Sequence, residues 1–370
     1  MRVPCRPLIL ASALAAGCGT PWIEDVDGEY RRLTSTLTSN GSGSLRATIR
    51  PDVGESAMLV TVQPILDDQD CHIRTLEVGS EVPFRADQEV TGDRARTNAG
   101  YIGHAVSLNW PIMEEDGFLR PRTTHKVQVG IVNQELVYTR GSAVVSVLLK
   151  RDADFDSGVL RVNIIYAGQT GQDNELVAAT EDAVELWRRI YENVGVGLEV
   201  TFFDFAGSGV LSAPGQGDLD SWDAISSDAP FGAVNLVVLE RIAEFDQVLG
   251  FSGDIPGPLV PSGRSAVAVN ASIAAGPDGE FSAGEVQLLA ETMAHEAGHF
   301  LGLYHPVETT YDSWDALPDT PECPNELNCL QSLGTNLMFP FPVCDSVSCV
   351  PQVDLTPQQG DVANRYTGVL

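Results

Sequence analysis

Lysine is nearly missing from this chain. Among 370 residues only Lys126 and Lys150 occur, and Lys plus Arg number 22 against 51 Asp plus Glu, a formal charge of −29 at pH 7. Binding to nucleic acid draws on Lys and Arg to displace counterions from phosphate, so a general affinity for DNA or RNA is excluded. No run of about 20 apolar residues exists either, which excludes an ordinary transmembrane helix. Histidine is scarce at 6 residues, so where the histidines sit matters more than their number. Core material is not lacking: hydrophobic residues make up 43% and charged ones 20%, a balance of folded domains rather than of disorder. The length predicts two or three domains at about 100–200 residues each.

The chain opens with Arg2 and Arg6 around a short start, followed by an apolar run from Leu8 to Ala16. That run is too short to span a bilayer and has the shape of a secretory leader. Its end, Ala15-Ala16-Gly17-Cys18, resembles the cleavage box of bacterial lipoproteins. The resemblance implies a leader over 1–17, lipid on Cys18 and a mature protein outside the cytosol. With Gly19 rather than Asp after the cysteine, it also favours the outer membrane or cell surface. The membrane is then met only through this anchor. Cys323, Cys329, Cys344 and Cys349 cluster late, while Cys71 stands alone. Four cysteines allow three pairings. The cluster has no Cys-x-x-Cys pair, and in an exported chain two disulfides are favoured over a zinc cluster.

Residues 18–44, rich in Gly, Ser and Thr, read as a tether. From 45 to 151 the pattern is period two: Leu45, Ala47 and Ile49; Met58, Val60 and Val62; Val127, Val129 and Ile131; Ala143, Val145, Val147 and Leu149. This predicts a small antiparallel β-sandwich-like domain. After the acidic stretch 152–156 the pattern changes. Strands are predicted at 159–166, 198–205, 234–239 and 266–270. Between the first two, Leu176, Ala179, Ala183, Leu186, Trp187, Ile190 and Val194 recur at helical spacing. Strand, helix, strand, strand predicts an α/β domain over 152–370 with a partly parallel sheet, interrupted by long loops at 206–233 and 250–264.

A capping box, Ser282 with Glu285, predicts the start of a further helix, and Gly302 its end. Inside it lies the segment from His295 to His305, which holds three of the six histidines in eleven residues. His295 and His299, four apart, project from one helical face and can chelate one ion. Gly302 lets the chain leave the helix sharply, so His305 can supply a third nitrogen. Three imidazoles leave a fourth position for water, the open coordination of a catalytic zinc site. Glu296 is placed to take a proton from that water as general base and pass it to a leaving amine. A chance match to the five fixed positions is on the order of one in 10⁵ per chain.

This pattern resembles the metzincin zinc endopeptidases, whose motif is His-Glu-x-x-His-x-x-Gly-x-x-His followed by a methionine turn. Pro306 after the third histidine and Asp319-Thr320-Pro321 resemble the pappalysin-like family within that clan. The resemblance covers about 159–366. It implies a twisted, mostly parallel five-stranded sheet over the active-site helix and Met338 as the apolar floor under the metal. It also implies that 266–270 is the antiparallel edge strand that pairs with an extended peptide or protein substrate. A second capping box, Thr356 with Gln359, predicts a C-terminal helix. The family usually carries Tyr two residues after that methionine. Pro340 stands there, which leaves Tyr304 and Tyr311 as substitutes. In relatives the segment holding Asp312, Asp315, Asp319 and Thr320 helps to bind calcium, and clustered oxygen donors suit such a cation. Cys71 is weighed as a latency switch that caps the zinc. The function expected is an exported zinc metalloendopeptidase; the alternative is a non-catalytic cell-surface binding protein on the same scaffold.

Overall fold

The computed structural model describes residues 22–26, 28–86, 94–95, 99–100, 102–152, 154–245, 247–275, 280–344 and 349–370. The leader 1–17 and Cys18 lie outside the described residues.

The first half is a pair of packed antiparallel sheets. One sheet contains β1 (Ile23–Val26), β2 (Tyr30–Thr38), β4 (Ala57–Pro64), β7 (Val106–Trp110) and β9 (Ser142–Lys150); the other contains β3 (Ser44–Ile49), β5 (Gln69–Val78), β6 (Glu81–Arg85) and β8 (His125–Asn133). The alternating residues read from sequence, such as Ala47, Val60, Val129 and Val147, form one buried cluster between the sheets. The segment 18–44 is not a tether where it is described. β1 and β2 occupy much of it, with Leu33, Ser35 and Leu37 turned inward and Thr36 and Thr38 outward. Threonine suits the wet face of a strand as well as it suits a linker, and this hid the period. β5 was also missed, because a register shift between Ile73 and Thr75 breaks its alternation.

Cys71 does not approach the histidines. It is a fully buried free thiol in the sandwich core, its Sγ donating toward Val62 O (3.3 Å) and Gly103 O (3.6 Å). Burial pushes that thiol far up from its ordinary range, the behaviour of a small apolar core group rather than a metal ligand.

The second half is built on a five-stranded sheet in the order β11 (Val196–Phe205), β10 (Gly158–Ala167), β12 (Val234–Leu239), β14 (Val267–Asn270), β13 (Gly250–Ser252). The first three pairings are parallel and the last is antiparallel. The segment 266–270 is therefore internal, not the edge. The edge is Gly250–Ser252, which lies inside a stretch expected to be loop. A helix at Leu219–Asp228 likewise interrupts the predicted loop 206–233. Helix α1 (Asn174–Glu192) begins at Asp173, whose carboxylate accepts from the N–H groups of Glu175 and Leu176. It buries Leu176, Ala179, Ala183, Trp187 and Ile190 against the sheet and against α2 (Ala283–Leu301).

The halves share a core. In β9 one face supplies Val145, Val147 and Leu149 to the sandwich, while Leu148 on the other face joins Leu59 and Tyr30 in the cluster of the second half. Polar links accompany this packing. Arg161 makes a bidentate pair with Glu29 (2.5 and 2.6 Å). Buried Asn109 donates to Arg365 O (3.0 Å) and accepts from Thr367 N (3.0 Å) and Thr367 Oγ1 (2.7 Å). Asn109→Ala leaves those groups unpaired in a dry interface. Each orphaned buried group costs about 1–3 kcal/mol, so the expected loss is about 2–4 kcal/mol. Urea unfolding followed by tryptophan fluorescence measures it, and a loss under about 0.5 kcal/mol, the range of neutral surface changes, contradicts the assignment.

Candidate metal centre and active-site cleft

Helix α2 starts with the reciprocal cap: Ser282 Oγ accepts from Glu285 N (3.3 Å) and Glu285 Oε2 accepts from Ser282 N (2.7 Å). It ends at Gly302, whose φ of 112° is open to glycine and costly for other residues. That turn sends the chain back, so that His305 meets His295 and His299. The three rings offer nitrogens that all lie within 4.8 Å of one another, and among the described residues this is the one such cluster of three or more.

The tautomers follow from the partners. His295 Nδ1 donates to Leu337 O (2.7 Å), His299 Nδ1 to Leu303 O (2.6 Å) and His305 Nδ1 to the Glu308 carboxylate (3.2 Å). Carbonyl and carboxylate oxygens only accept, so in the neutral rings every Nε2 carries a bare lone pair. These face each other, with His305 Nε2 3.1 Å from His299 Nε2 and 3.3 Å from His295 Nε2. Lone pairs at such distances repel unless a cation lies among them. Three oriented imidazole donors fit a zinc ion, and their outward nitrogens are already held by acceptors as metal-ligating histidines require. Burial and the neighbouring imidazoles lower the proton affinity of His299 well below its ordinary value and bring His295 down to about 3, which keeps both as neutral donors.

Glu296 borders the same cleft. Burial raises its carboxyl to about 8, opposed by a hydrogen bond from the Ser252 backbone. Strand β13 comes this close because residue 250 is glycine: a Cβ there would sit 2.6 Å from Glu296 Cγ and 2.9 Å from Thr292 Cγ2. The cleft, of about 360 Å³, is also lined by Val248, Phe251, Ile255, Tyr304 and Pro340. A side pocket of about 230 Å³ opens from it between α2 and residues 339–342, bordered by Leu288, Glu291 and Phe341.

Met338 is fully buried under the helix, its sulfur against Gly298, the residue before His299. Of the two tyrosines, Tyr304 lines the cleft and Tyr311 is not among its lining residues. Among the described residues Asp312, Asp315 and Asp319 do not form a carboxylate cluster, although Asp315 meets Thr320, the fourth calcium candidate. Asp319 accepts from Thr356 Oγ1 and Gln358 N (both 2.9 Å), at the start of helix α3 (Pro357–Arg365). Asp315 accepts from Thr320 Oγ1 and Leu317 N, and Asp312 from Thr310 Oγ1. Cys323 pairs with Cys329 and Cys344 with Cys349, leaving no thiolate cluster among them for a second metal. Sequence reasoning missed Glu308, three residues after a named ligand, and the cleft-bordering strand β13. It also missed the carbonyls of Leu303 and Leu337, which carry no side-chain signal.

No protein family matches the sequence, and no curated protein does. Among solved structures, metalloproteinase-II from Bacteroides fragilis is similar over 46% of this chain at 14% identity, with a TM-score of 0.30. This chain covers 48% of that proteinase, about half its length. A xylan-binding module, CBM15, matches over 36% of this chain and 100% of its own at 16% identity (TM-score 0.18). A family two carbohydrate esterase from Clostridium thermocellum matches over 60% of this chain and 65% of its own at 9% identity (TM-score 0.17). Likenesses this slight assign neither fold nor activity.

The histidines predict a pH dependence for the chelator-treated chain. Unfolded imidazoles titrate near 6.5 and folded His295 near 3, so between those values the unfolded state binds more protons. The stability from this site is complete above pH about 6.5 and falls as pH drops toward 3. His295→Asn should flatten part of that slope. Urea midpoints measured between pH 7 and 4 check it; the same slope in parent and variant contradicts the burial of His295.

Proposed function

We propose that this chain is an exported zinc-dependent endopeptidase of the metzincin type, close to the pappalysin-like family. In this reading residues 152–370 form the catalytic domain and the β-sandwich precedes it. The observation that carries the reading is the convergence of the His295, His299 and His305 Nε2 lone pairs beside the Glu296 carboxylate.

Zinc held by the three histidines would supply Lewis-acid polarisation of a scissile carbonyl and acidify water at that position. The remaining work belongs to the chain. Glu296, next to His295 on α2, borders the cleft and is placed to take a proton from the attacking water and deliver it to the leaving amine nitrogen. Strand β13 has one hydrogen-bonding side against β14 and ends the sheet beside Glu296, so an extended peptide can add to it as a further strand. A substrate side chain next to the scissile bond would enter the pocket between Leu288 and Phe341. Tyr304 is the residue we assign to the place that Pro340 leaves without a hydroxyl. Two disulfides fit a site outside the cytosol, with Cys18 as the lipid anchor.

Glu296→Ala should keep about one zinc per chain, because three ligands remain, while peptide hydrolysis falls by about 10²–10⁴ or more. His299→Ala should lose the zinc as well. Digestion of a peptide library with and without a chelator, alongside metal analysis, measures both. Undiminished hydrolysis by Glu296→Ala would refute the assignment of the base. A zinc-loaded parent chain that cleaves no peptide favours a binding protein on the same scaffold.

A further inference from the structure

The second half carries a crevice that the metal centre does not use. From β10 the chain passes through α1 to β11 on one flank of β10, whereas β12, the next strand in sequence, lies on the other flank. The connections therefore part at the carboxyl ends of β10 and β12, the place where open α/β sheets bind their ligands. A cavity of about 350 Å³ opens there, at the small end of the range for small-molecule sites (about 300–1,000 Å³). Gln169, Thr170 and Asp173 reach it from the end of β10, Glu240 from the end of β12 and Ser272 from the helical turn after β14. Phe281, just before the Ser282 cap of α2, also lines it. His295 lies well along that helix from Ala283, about 18 Å away at 1.5 Å per residue. The crevice shares no lining residue with the cleft.

Its polar lining is built from acceptors. Thr170 Oγ1 donates to Ala167 O and Ser272 Oγ to Asn270 Oδ1 (both 2.9 Å), so each hydroxyl spends its proton inside the protein and offers lone pairs. Asp173 Oδ1 takes the N–H groups of Glu175 and Leu176, the donors that an open helix start would turn to an anion. Glu240 Oε1 accepts from Gln169 N (3.2 Å). The Glu240 side chain lies so close along Gly209 that a Cβ there would meet Oε1 at 2.6 Å and Cγ at 2.8 Å. The backbone thus holds one oxygen of each carboxylate and leaves the second to a ligand. Among the described lining residues none is basic, and Leu176, Ala271 and Ala275 join Phe281 as an apolar wall.

We propose that this crevice binds a small organic cation, a protonated amine on a short apolar body. The ammonium lies at the Asp173 and Glu240 carboxylates, and the carbon skeleton lies against Leu176 and Phe281. An ammonium is a compact charge with donors only, which matches an acceptor lining. The two carboxylates repel a carboxylate or phosphate ligand. The site stands independently of the peptidase reading.

The test is calorimetric titration of the full chain with 2-phenylethylamine at pH 7, where the amine is protonated. Saturable binding is expected, and Glu240→Gln should weaken it about tenfold or more, the loss of one charge-assisted hydrogen bond. Ser272→Phe, at an exposed position, fills the crevice from its rim and should weaken binding at least as much. A chelator, which empties the metal centre, should leave the affinity unchanged. 3-Phenylpropionate, of similar size and opposite charge, should not bind. In the unsubstituted chain the amide signals of Gln169 and Ser272 should move during the titration while that of Glu296 stays. No binding of the amine up to about 10 mM overturns the proposal. So does equal affinity for 3-phenylpropionate, or an affinity that neither substitution changes. Binding lost with the chelator, or a shift at Glu296 without one at Gln169, assigns the amine to the metal cleft and overturns it too.

Discussion

Three imidazole nitrogens that turn their lone pairs toward a common point must be held there, because without a cation they push apart. Each ring is held from a different part of the chain. His299 is fixed by Leu303 O just beyond its own helix, His305 by Glu308, and His295 by Leu337 O from a segment 42 residues away. That third support is itself suspended. Asn336 Oδ1 accepts from Met338 N (2.9 Å), and its amide group exchanges hydrogen bonds with Gln359 (2.8 and 3.2 Å). Gln359 belongs to the capping box with Thr356, and Thr356 donates to Asp319. A continuous polar chain thus runs from Asp319 through the cap of α3 to the carbonyl that orients His295. Outer supports of this kind fix which nitrogen faces the metal and how basic it is.

The same chain explains what the sequence could and could not disclose. The ligand helix was legible because its determinants are local: a cap at Ser282 with Glu285, histidines on one face, and glycine at 302. Helix α1 was legible for the same reason, through apolar residues at helical spacing. Asp319 is read from sequence as a calcium ligand because its segment resembles one that helps to bind calcium in relatives and clusters oxygen donors. Its actual partner, Thr356, is 37 residues away, and nothing in the local pattern separates a carboxylate that caps a distant helix from one that awaits a cation.

Strands were legible where alternation was clean and illegible where another rule competed with it. β4, β8 and β9 carry unbroken period-two runs of aliphatic residues into the sandwich core. β5 inserts a register shift, and β2 fills its outer positions with threonine. β13 is three residues long, too short for any period to register, and Gly253, Asp254 and Pro256 just after it read as loop. Its position is set by tertiary contact instead: antiparallel pairing with β14 on one side and the approach of Gly250 to Glu296 beneath it.

That dependence on tertiary contact gives the sandwich a part in the cleft. Just beyond β13, buried Asp254 pairs with Arg264 (3.3 Å), and Arg264 also donates to Ile102 O (3.3 Å) of the first half. Gly100 and Gly103 press so closely on Asp254 and Arg264 that a side chain at either would collide with them. The end of the strand bordering Glu296 is thus clamped between its own sheet and a segment of the sandwich. The β13 edge hydrogen-bonds to only one neighbour and spans only three residues, so little else in its own sheet resists its movement. A rigid cleft wall at Glu296 follows from the two halves together, and the shared core through Leu59, Leu148 and Tyr30 holds the clamp in register.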